Sequence, residues 1–481
     1  MAETKQEASS QPLHVLVFPW LAFGHMIPFL ELSKRLARRG HAVTFVSTPR
    51  NAARLAAVPP ELSARVRVVT LDLPEVEGLP DGAESTADVP PEKVELLKKA
   101  FDGLAAPFAG LVEEACASGG GAAGFSTKPD WIIQDFAQNW VWPIAEEHEI
   151  PCAIFLILPV AIMAFIGTRH ENEAHPRTTA EDYMVQPPWI PFPSTIAYRR
   201  HEAEAIAAAF RPNASGVSDI DRFWQMQRPC CRLIVHRSCP EVEPRLFPLL
   251  TELFAKPFVP AGLLLPDDAV DDDGPGSDQS FLAVLQWLDA QPRRSVIYVA
   301  LGSEAPVTAD HIRQLALGLE LSGVRFLWAL RRPVGHAGAL LPDGFEARVA
   351  GRGVVRAGWV PQVRVLAHGA VGAFLTHCGW GSTVESLLRF GHPLVMLPFV
   401  ADQGLITRAM AARGVGVEVP RNDDDGSFRG DDVAATVRRV MAEEEGEALA
   451  RNAKELQKVL GDRVRQEQYV DELVEYLQRY K

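Results

Sequence analysis

The chain has 481 residues, more than one ordinary domain holds and enough for two of common size. Hydrophobic residues make up 47% and charged residues 23%, the composition of a globular protein, which sets aside disordered and fibrous classes. The net charge is −13 and no run of clustered Lys and Arg appears, which argues against a nucleic-acid partner. A nucleotide held as a small molecule stays open, because backbone amides at a helix start suffice to bind it.

The predicted elements begin after a polar N-terminus, MAETKQEASSQP, that lacks the apolar stretch of a signal peptide. LHVLVF (13–18) reads as a buried strand, PFLELSKRLARRG (28–40) as an amphipathic helix stopped by Gly40, and AVTFVS (42–47) as a second strand. Residues 94–116 read as one helix, DWIIQ (130–134) as a strand and CAIFLI (152–157) as another. The apolar run 150–167 is long enough to suggest a membrane span. Pro151 and Pro159 interrupt it and no basic flank sets an orientation, so a buried strand, a turn and a helix are expected there. Residues 168–230 are rich in Pro, His and Trp and read as an irregular insertion of the kind that carries recognition loops.

PDDAVDDDGPGSDQS (266–280) is acidic, aperiodic and Gly/Pro-containing, so it reads as an exposed linker. Alternation then resumes with strands at 295–301, 325–330, 353–355, 371–376 and 393–398, and helices at 308–322, 382–390 and 402–413. Residues 431–481 are largely helical and charged. Such βα alternation predicts an α/β protein with two parallel sheets, each covered by helices, and ligand sites beyond the carboxyl ends of the strands. Six cysteines without CxxC pairs or metal-ligand spacing read as reduced thiols, which points to a cytoplasmic protein.

Two stretches carry chemistry. His25 follows the strand 13–18 just where a helix begins. A lone histidine there is more often a capping or core residue, but Asp135 ends the strand 130–134 in the same half. A carboxylate bonded to one imidazole nitrogen fixes the tautomer and raises the basicity of the other, which suits a general base. Capping of a helix at 138–148 is the alternative for Asp135. The second stretch, from Trp359 to Gln403, offers an aromatic plane, then HCGWGSTVES (377–386) as a glycine-rich turn into a helix. That turn is suited to an anion, and Asp402 and Gln403 are suited to sugar hydroxyls. Trp359 in the core, Glu385 on a helix surface and Asp402 as a helix cap are the bland alternatives.

The order WxPQ, HCGW, S, E, GHP and DQ resembles the signature box of plant uridine-diphosphate (UDP) dependent glycosyltransferases. The similarity runs over essentially the whole chain, with His25 in the N-terminal "GH" and ALGSE (300–304) like a phosphate-contacting segment. PWLAFGHMIP, FVSTPRN and EGLPDGAEST further resemble the branch that adds a sugar to the sugar of a flavonoid or terpenoid glycoside. The resemblance implies a GT-B fold of two Rossmann-like domains facing a cleft. Residues 1–255 would bind the acceptor, 256–285 would link, 286–460 would bind the donor, and 461–481 would form a helix packing back on the first domain. It implies inverting transfer with His25 as base and Asp135 as its partner, glucose as the donor sugar, and no metal or other cofactor.

In that reading Trp359 stacks on uracil, Val360 bonds it through the backbone, and Gln362 and Glu385 reach the ribose. Ser303, His377, Trp380, Gly381 and Ser382 surround the diphosphate, and Asp402 and Gln403 hold the sugar. The partners implied are a UDP-sugar and a small lipophilic or glycosylated acceptor, with no nucleic acid, no membrane span and a monomeric chain. Two features depart from the family pattern. Gly381 stands where Asn is usual, and ESLLRFGHP is one residue longer between Glu385 and Gly391. A non-catalytic nucleotide-sugar-binding relative and a nucleotide-sugar epimerase remain as alternatives, as do a UDP-rhamnose donor and an aglycone acceptor.

Overall fold

Short runs of buried apolar residues form two parallel sheets in a computed structural model that describes residues 11–117, 128–265, 279–302, 305–332, 338–358 and 360–481. The first sheet contains β1 (His14–Phe18), β2 (Ala42–Ser47), β3 (Val66–Thr70), β4 (Trp131–Gln134), β5 (Cys152–Leu156), β6 (Cys231–His236) and β7 (Phe258–Pro260). Their order is β3-β2-β1-β4-β5-β6-β7, and every pair is parallel. The second contains β8 (Val296–Ala300), β9 (Arg325–Leu330), β10 (Gly353–Ala357), β11 (Val371–Thr376), β12 (Leu394–Met396) and β13 (Gly416–Glu418). It runs β10-β9-β8-β11-β12-β13, again all parallel. Central strands such as β1, β5 and β8 are buried along their whole length, which is why they read as continuous apolar runs rather than alternating ones.

In each sheet the order reverses once, between β1 and β4 and between β8 and β11. Connections leave in opposite directions there, and a crevice opens beyond the carboxyl ends. The stretch 150–167 forms β5 and the helix Val160–Ile166, broken at Pro159. Among the described residues no helix is long and apolar enough to cross a membrane.

Several elements differ from the sequence reading. The first helix runs Phe23–Arg38, so Pro28 lies inside it rather than at its start and His25 sits in its first turn. The helix expected over 94–116 breaks into Val94–Asp102 and Ala105–Cys116 at Gly103, where a Cβ would approach Pro74 Cγ to 2.5 Å. The insertion 168–230 is not irregular throughout. It holds the helices Arg169–Ala174, Arg200–Ala209 and Asp219–Trp224, the first and last capped by Thr168 and Ser218. β7 lies within 256–285 and pairs with β6, so the first domain continues past residue 255 and the linker is shorter than expected. Most of the acidic stretch 266–280 lies outside the described residues.

The last helix, Arg463–Arg479, returns to the first sheet. Val470, Leu473 and Leu477 are buried among Val15, Val17, Phe29 and Trp131, and the Trp131 indole donates to Leu477 O at 2.9 Å. Arg39 pairs with Asp471 at 2.6 Å on the rim. Truncating Leu473 to Ala empties this seam and is expected to cost about 2–5 kcal/mol, read as a lower urea midpoint for the transition of the first domain.

Candidate active site

The register of β1 against β4 pairs Phe18 with Gln134, so the segments leaving the two strands emerge side by side. His25 Nδ1 lies 2.7 Å from Asp135 Oδ2. The same oxygen accepts from Trp20 N at 3.0 Å, and Oδ1 accepts from Phe136 N at 2.7 Å. Asp135 is only 1% exposed, and these three donors offset the cost of burying its charge. It caps no helix, since the following one, Val141–Glu147, starts at Trp140. With Nδ1 donating to the carboxylate, the imidazole keeps Nε2 as an acceptor, and the side chain is 13% exposed. Phe136 sits 5.7 Å from the His25 ring and stacks on Phe223 of the insertion at 4.8 Å, which makes one flank of the site aromatic.

The second crevice is built by the pairing of Thr376 in β11 with Ala300 in β8. His377 follows β11 directly and is buried. Burial, and secondarily the Arg331 cation, push its pKa down to about 4, so the ring is neutral at physiological pH. Its Nδ1 is buried with no hydrogen-bond partner among the described residues. Two glycines make room for the ring. A Cβ at Gly302 would lie 2.5 Å from His377 Cε1, and one at Gly379 would lie 2.5 Å from Nε2. Cys378 between them takes φ +62°, and the chain then turns into the helix Trp380–Thr383. The amides of that first turn have no intrahelical acceptors, and Ser382 in the same turn is half-buried.

Gly381 differs from Gly379. Its virtual Cβ meets only Arg237 Nη1, at an ordinary 3.6 Å, so no steric demand explains it. The helix continues as a π-helix over Val384–Phe390, the wide winding by which a helix absorbs an extra residue. Its carbonyl end is held by Lys454 Nζ on Phe390 O at 2.5 Å and Gln457 Nε2 on Arg389 O at 3.2 Å. Glu385 stays on the side that meets Gln362, whose Nε2 donates to it at 2.7 Å.

Val360 is buried in the core of the second domain. Asp402 occupies the N-cap position of the helix Gln403–Ala412 without a side-chain cap bond, so capping does not account for it. Gln403 Oε1 accepts from Phe399 N at 2.9 Å and Val400 N at 3.1 Å, which fixes its amide. Ser303 and Trp359 lie outside the described residues. Trp380 is buried and donates through its indole to Arg237 O in the first domain at 2.6 Å. Two neighbours escaped the sequence reading. Arg331 follows β9 and grips Gly302 O at 3.0 Å and Ala305 O at 2.5 Å, on either side of residues 303–304. Arg237 follows β6. A cation immediately after a strand is the signal that marks both, and β6 itself was not recognised. A separate cavity of about 660 Å³, lined by Arg294, Gly372, Pro393 and Lys454, lies at the amino ends of β11 and β12, away from this chemistry.

Comparison with known proteins adds the chemistry. The family description UDP-glucoronosyl and UDP-glucosyl transferase fits residues 275–468. UDP-glycosyltransferase 91B1 of Arabidopsis thaliana is 44% identical over 99% of both chains. The chain belongs to the plant family 1 UDP-glycosyltransferases, in the 91 branch. The Glycine max soyasaponin III rhamnosyltransferase is 37% identical, covering 99% of this chain and 97% of its own. A Polygonum tinctorium UDP-glucosyltransferase capable of glucosylating indoxyl, solved as a complex, superposes with a TM-score of 0.74 at 25% identity over 98% and 99% of the two chains. The two parallel sheets are therefore the two Rossmann-like domains of a GT-B glycosyltransferase, and the enzyme uses a UDP-sugar as donor.

Two outcomes follow from the packing around the imidazoles. Gly379→Ala forces a methyl into the His377 ring and is expected to weaken UDP binding about tenfold or more, while Gly381→Ala stays within about twofold, measured by calorimetry. His236 and His377 are both buried with pKa values pushed from 6.5 to about 4, chiefly by burial. Between these values the unfolded chain binds the extra protons, so stability present above pH 6.5 is lost as pH falls toward 4, by on the order of 3 kcal/mol for each ring. Thermal midpoints against pH should fall less steeply in this window for His236→Gln.

Proposed function

We propose that the enzyme catalyses inverting transfer of glucose from UDP-glucose to a hydroxyl of a small specialised metabolite, in particular a sugar hydroxyl of a flavonoid or terpenoid glycoside. The His25–Asp135 pair at the switch point of the first sheet carries this reading. His25 Nε2 takes the proton of the acceptor hydroxyl as its oxygen attacks the anomeric carbon, and the bond from that carbon to the diphosphate breaks. Asp135 holds the ring through Nδ1 and balances the imidazolium that forms. The charge that develops on departing UDP meets the amides of Trp380 and Gly381, the Ser382 and Ser303 hydroxyls and the neutral His377 ring. With these donors in place the reading assigns no metal or other cofactor.

The uracil stacks on Trp359 and bonds to the Val360 backbone, and the ribose meets Gln362 and Glu385. Asp402 and Gln403 take the sugar hydroxyls. Gln403 supports glucose, because its carbonyl is already committed to the backbone and its amide nitrogen remains to donate. The name of the soyasaponin relative supports a second reading with UDP-rhamnose as donor. The aromatic flank formed by Phe136 and Phe223 supports a lipophilic acceptor. Six free cysteines support work in a reducing cytoplasm, and the chain is read as a monomer.

The test is a matrix of UDP-glucose, UDP-rhamnose, UDP-xylose and UDP-galactose against flavonoid and terpenoid glycosides and their aglycones, read by mass spectrometry. Transfer to a glycoside from UDP-glucose is the expected result. Donor binding without transfer or hydrolysis across the matrix would overturn the catalytic reading, and conversion of the donor without an acceptor would mark an epimerase. His25→Ala is expected to lower kcat by at least about a hundredfold with UDP affinity unchanged.

A further inference from the structure

The room left by Gly381 is occupied from the other domain. Arg237 follows β6 in the first domain and is buried, with 4% of its surface exposed. Its Nε donates to Leu263 O at 3.0 Å, and its own carbonyl accepts the Trp380 indole at 2.6 Å. These two bonds fix the residue against the start of the donor-site helix. Among the described residues its guanidinium makes no other hydrogen bond, which leaves the terminal nitrogens with donors to spare. Nη1 stands 3.6 Å from where a Cβ at residue 381 would be, in the space that a side chain there would enter. Burial lowers its pKa to about 10, with Glu385 and then Glu31 opposing the shift, so it remains a cation at neutral pH. A buried cation with unspent donors at the edge of an anion site is suited to the anion itself.

We propose that Arg237 is a donor-binding residue, its terminal guanidinium nitrogens donating to the diphosphate of the nucleotide sugar in the place that Gly381 leaves without a side chain. The proposal rests on the assignment of residues 377–385 to that diphosphate. A charged, forked donor replaces a neutral amide, and it comes from the acceptor-side domain. Donor binding then bridges both domains.

Titration calorimetry with UDP, UMP and uridine on the full chain tests this. Arg237→Met is expected to weaken UDP at least tenfold, leave uridine within twofold, and raise KM for the UDP-sugar without raising KM for the acceptor. Arg237→Lys should fall between, because it keeps the charge and loses the fork. Adding Gly381→Asn to Arg237→Met should recover part of the UDP affinity, whereas Gly381→Asn alone should gain less than twofold. UDP binding by Arg237→Met within twofold of wild type overturns the proposal, and so does an equal loss for UDP and uridine, which would mark a displaced pocket. If Arg237→Met does not fold, Gly381→Asn alone decides: a tenfold gain in UDP affinity overturns the proposal and an unchanged affinity supports it. A wild-type chain that binds no UDP overturns the donor-site assignment as well, whereas UDP binding indifferent to Arg237 overturns this inference alone.

Discussion

The chemistry depends on two reversals of strand order. In a parallel sheet every strand presents its carboxyl end to the same side, and the covering helices close over those ends except where successive connections diverge. The divergence falls between β1 and β4 in one domain and between β8 and β11 in the other. His25 and Asp135 stand over the first, and Gly302 and His377 over the second. Each pair comes from segments far apart in the chain, brought together by strand pairing with Phe18 opposite Gln134 and Ala300 opposite Thr376. A slip of register in either pair would separate the partners without unfolding the domain.

The two crevices have opposite electrical character. The first contains a buried carboxylate that accepts from three donors, one of them the Nδ1–H of His25, which leaves Nε2 as the acceptor nitrogen of that ring. The second contains an imidazole held neutral by burial, whose Nδ1 has no hydrogen-bond partner among the described residues, and a helix start whose first amides lack intrahelical acceptors. One side holds an imidazole oriented by a carboxylate and the other a neutral imidazole beside a helix start, the arrangement on which the proposed sugar transfer rests. The neutrality of His377 matters here. As a neutral ring it acts by hydrogen bonding, and positive charge near the site comes from the arginines that follow β6 and β9.

Much of this was legible in the sequence because strong apolar runs mark central strands, and the residues just after such runs are where chemistry collects. His25, Asp135 and His377 were found that way. β3, β7 and β13 were not, since edge strands of three to five residues carry too little apolar signal against their turns. The amphipathic pattern is visible from Pro28, and the extra turn that holds His25 lies before it. Arg237 stayed hidden with β6. Gly381 is legible in the sequence as a departure from Asn, but what each glycine faces is not: Gly379 is dictated by a ring 2.5 Å from its missing Cβ, whereas Gly381 faces a guanidinium contributed by the other domain.

The insertion 168–230 is tied to the second domain beside the helix Gln403–Ala412. Arg199 pairs with Glu418 at 2.7 Å, Glu202 with Arg408 at 2.9 Å, and His201 N donates to Asp423 O at 3.1 Å. The Glu202 carboxylate lies against Gly404, directly after Gln403, in space that any side chain at 404 would claim. These ion pairs are partly or largely buried, so breaking one partner leaves a charge in a poorly solvated gap. The helix Arg200–Ala209 therefore cannot drift with the loops around it. From Arg199 onward, sequence change must preserve contacts that reach Gly404, Arg408 and Glu418 of the second domain. The insertion and the start of the helix Gln403–Ala412 are physically joined at this edge, and a swap of the insertion between relatives that neglects Gly404, Arg408 and Glu418 would leave buried charges without their partners.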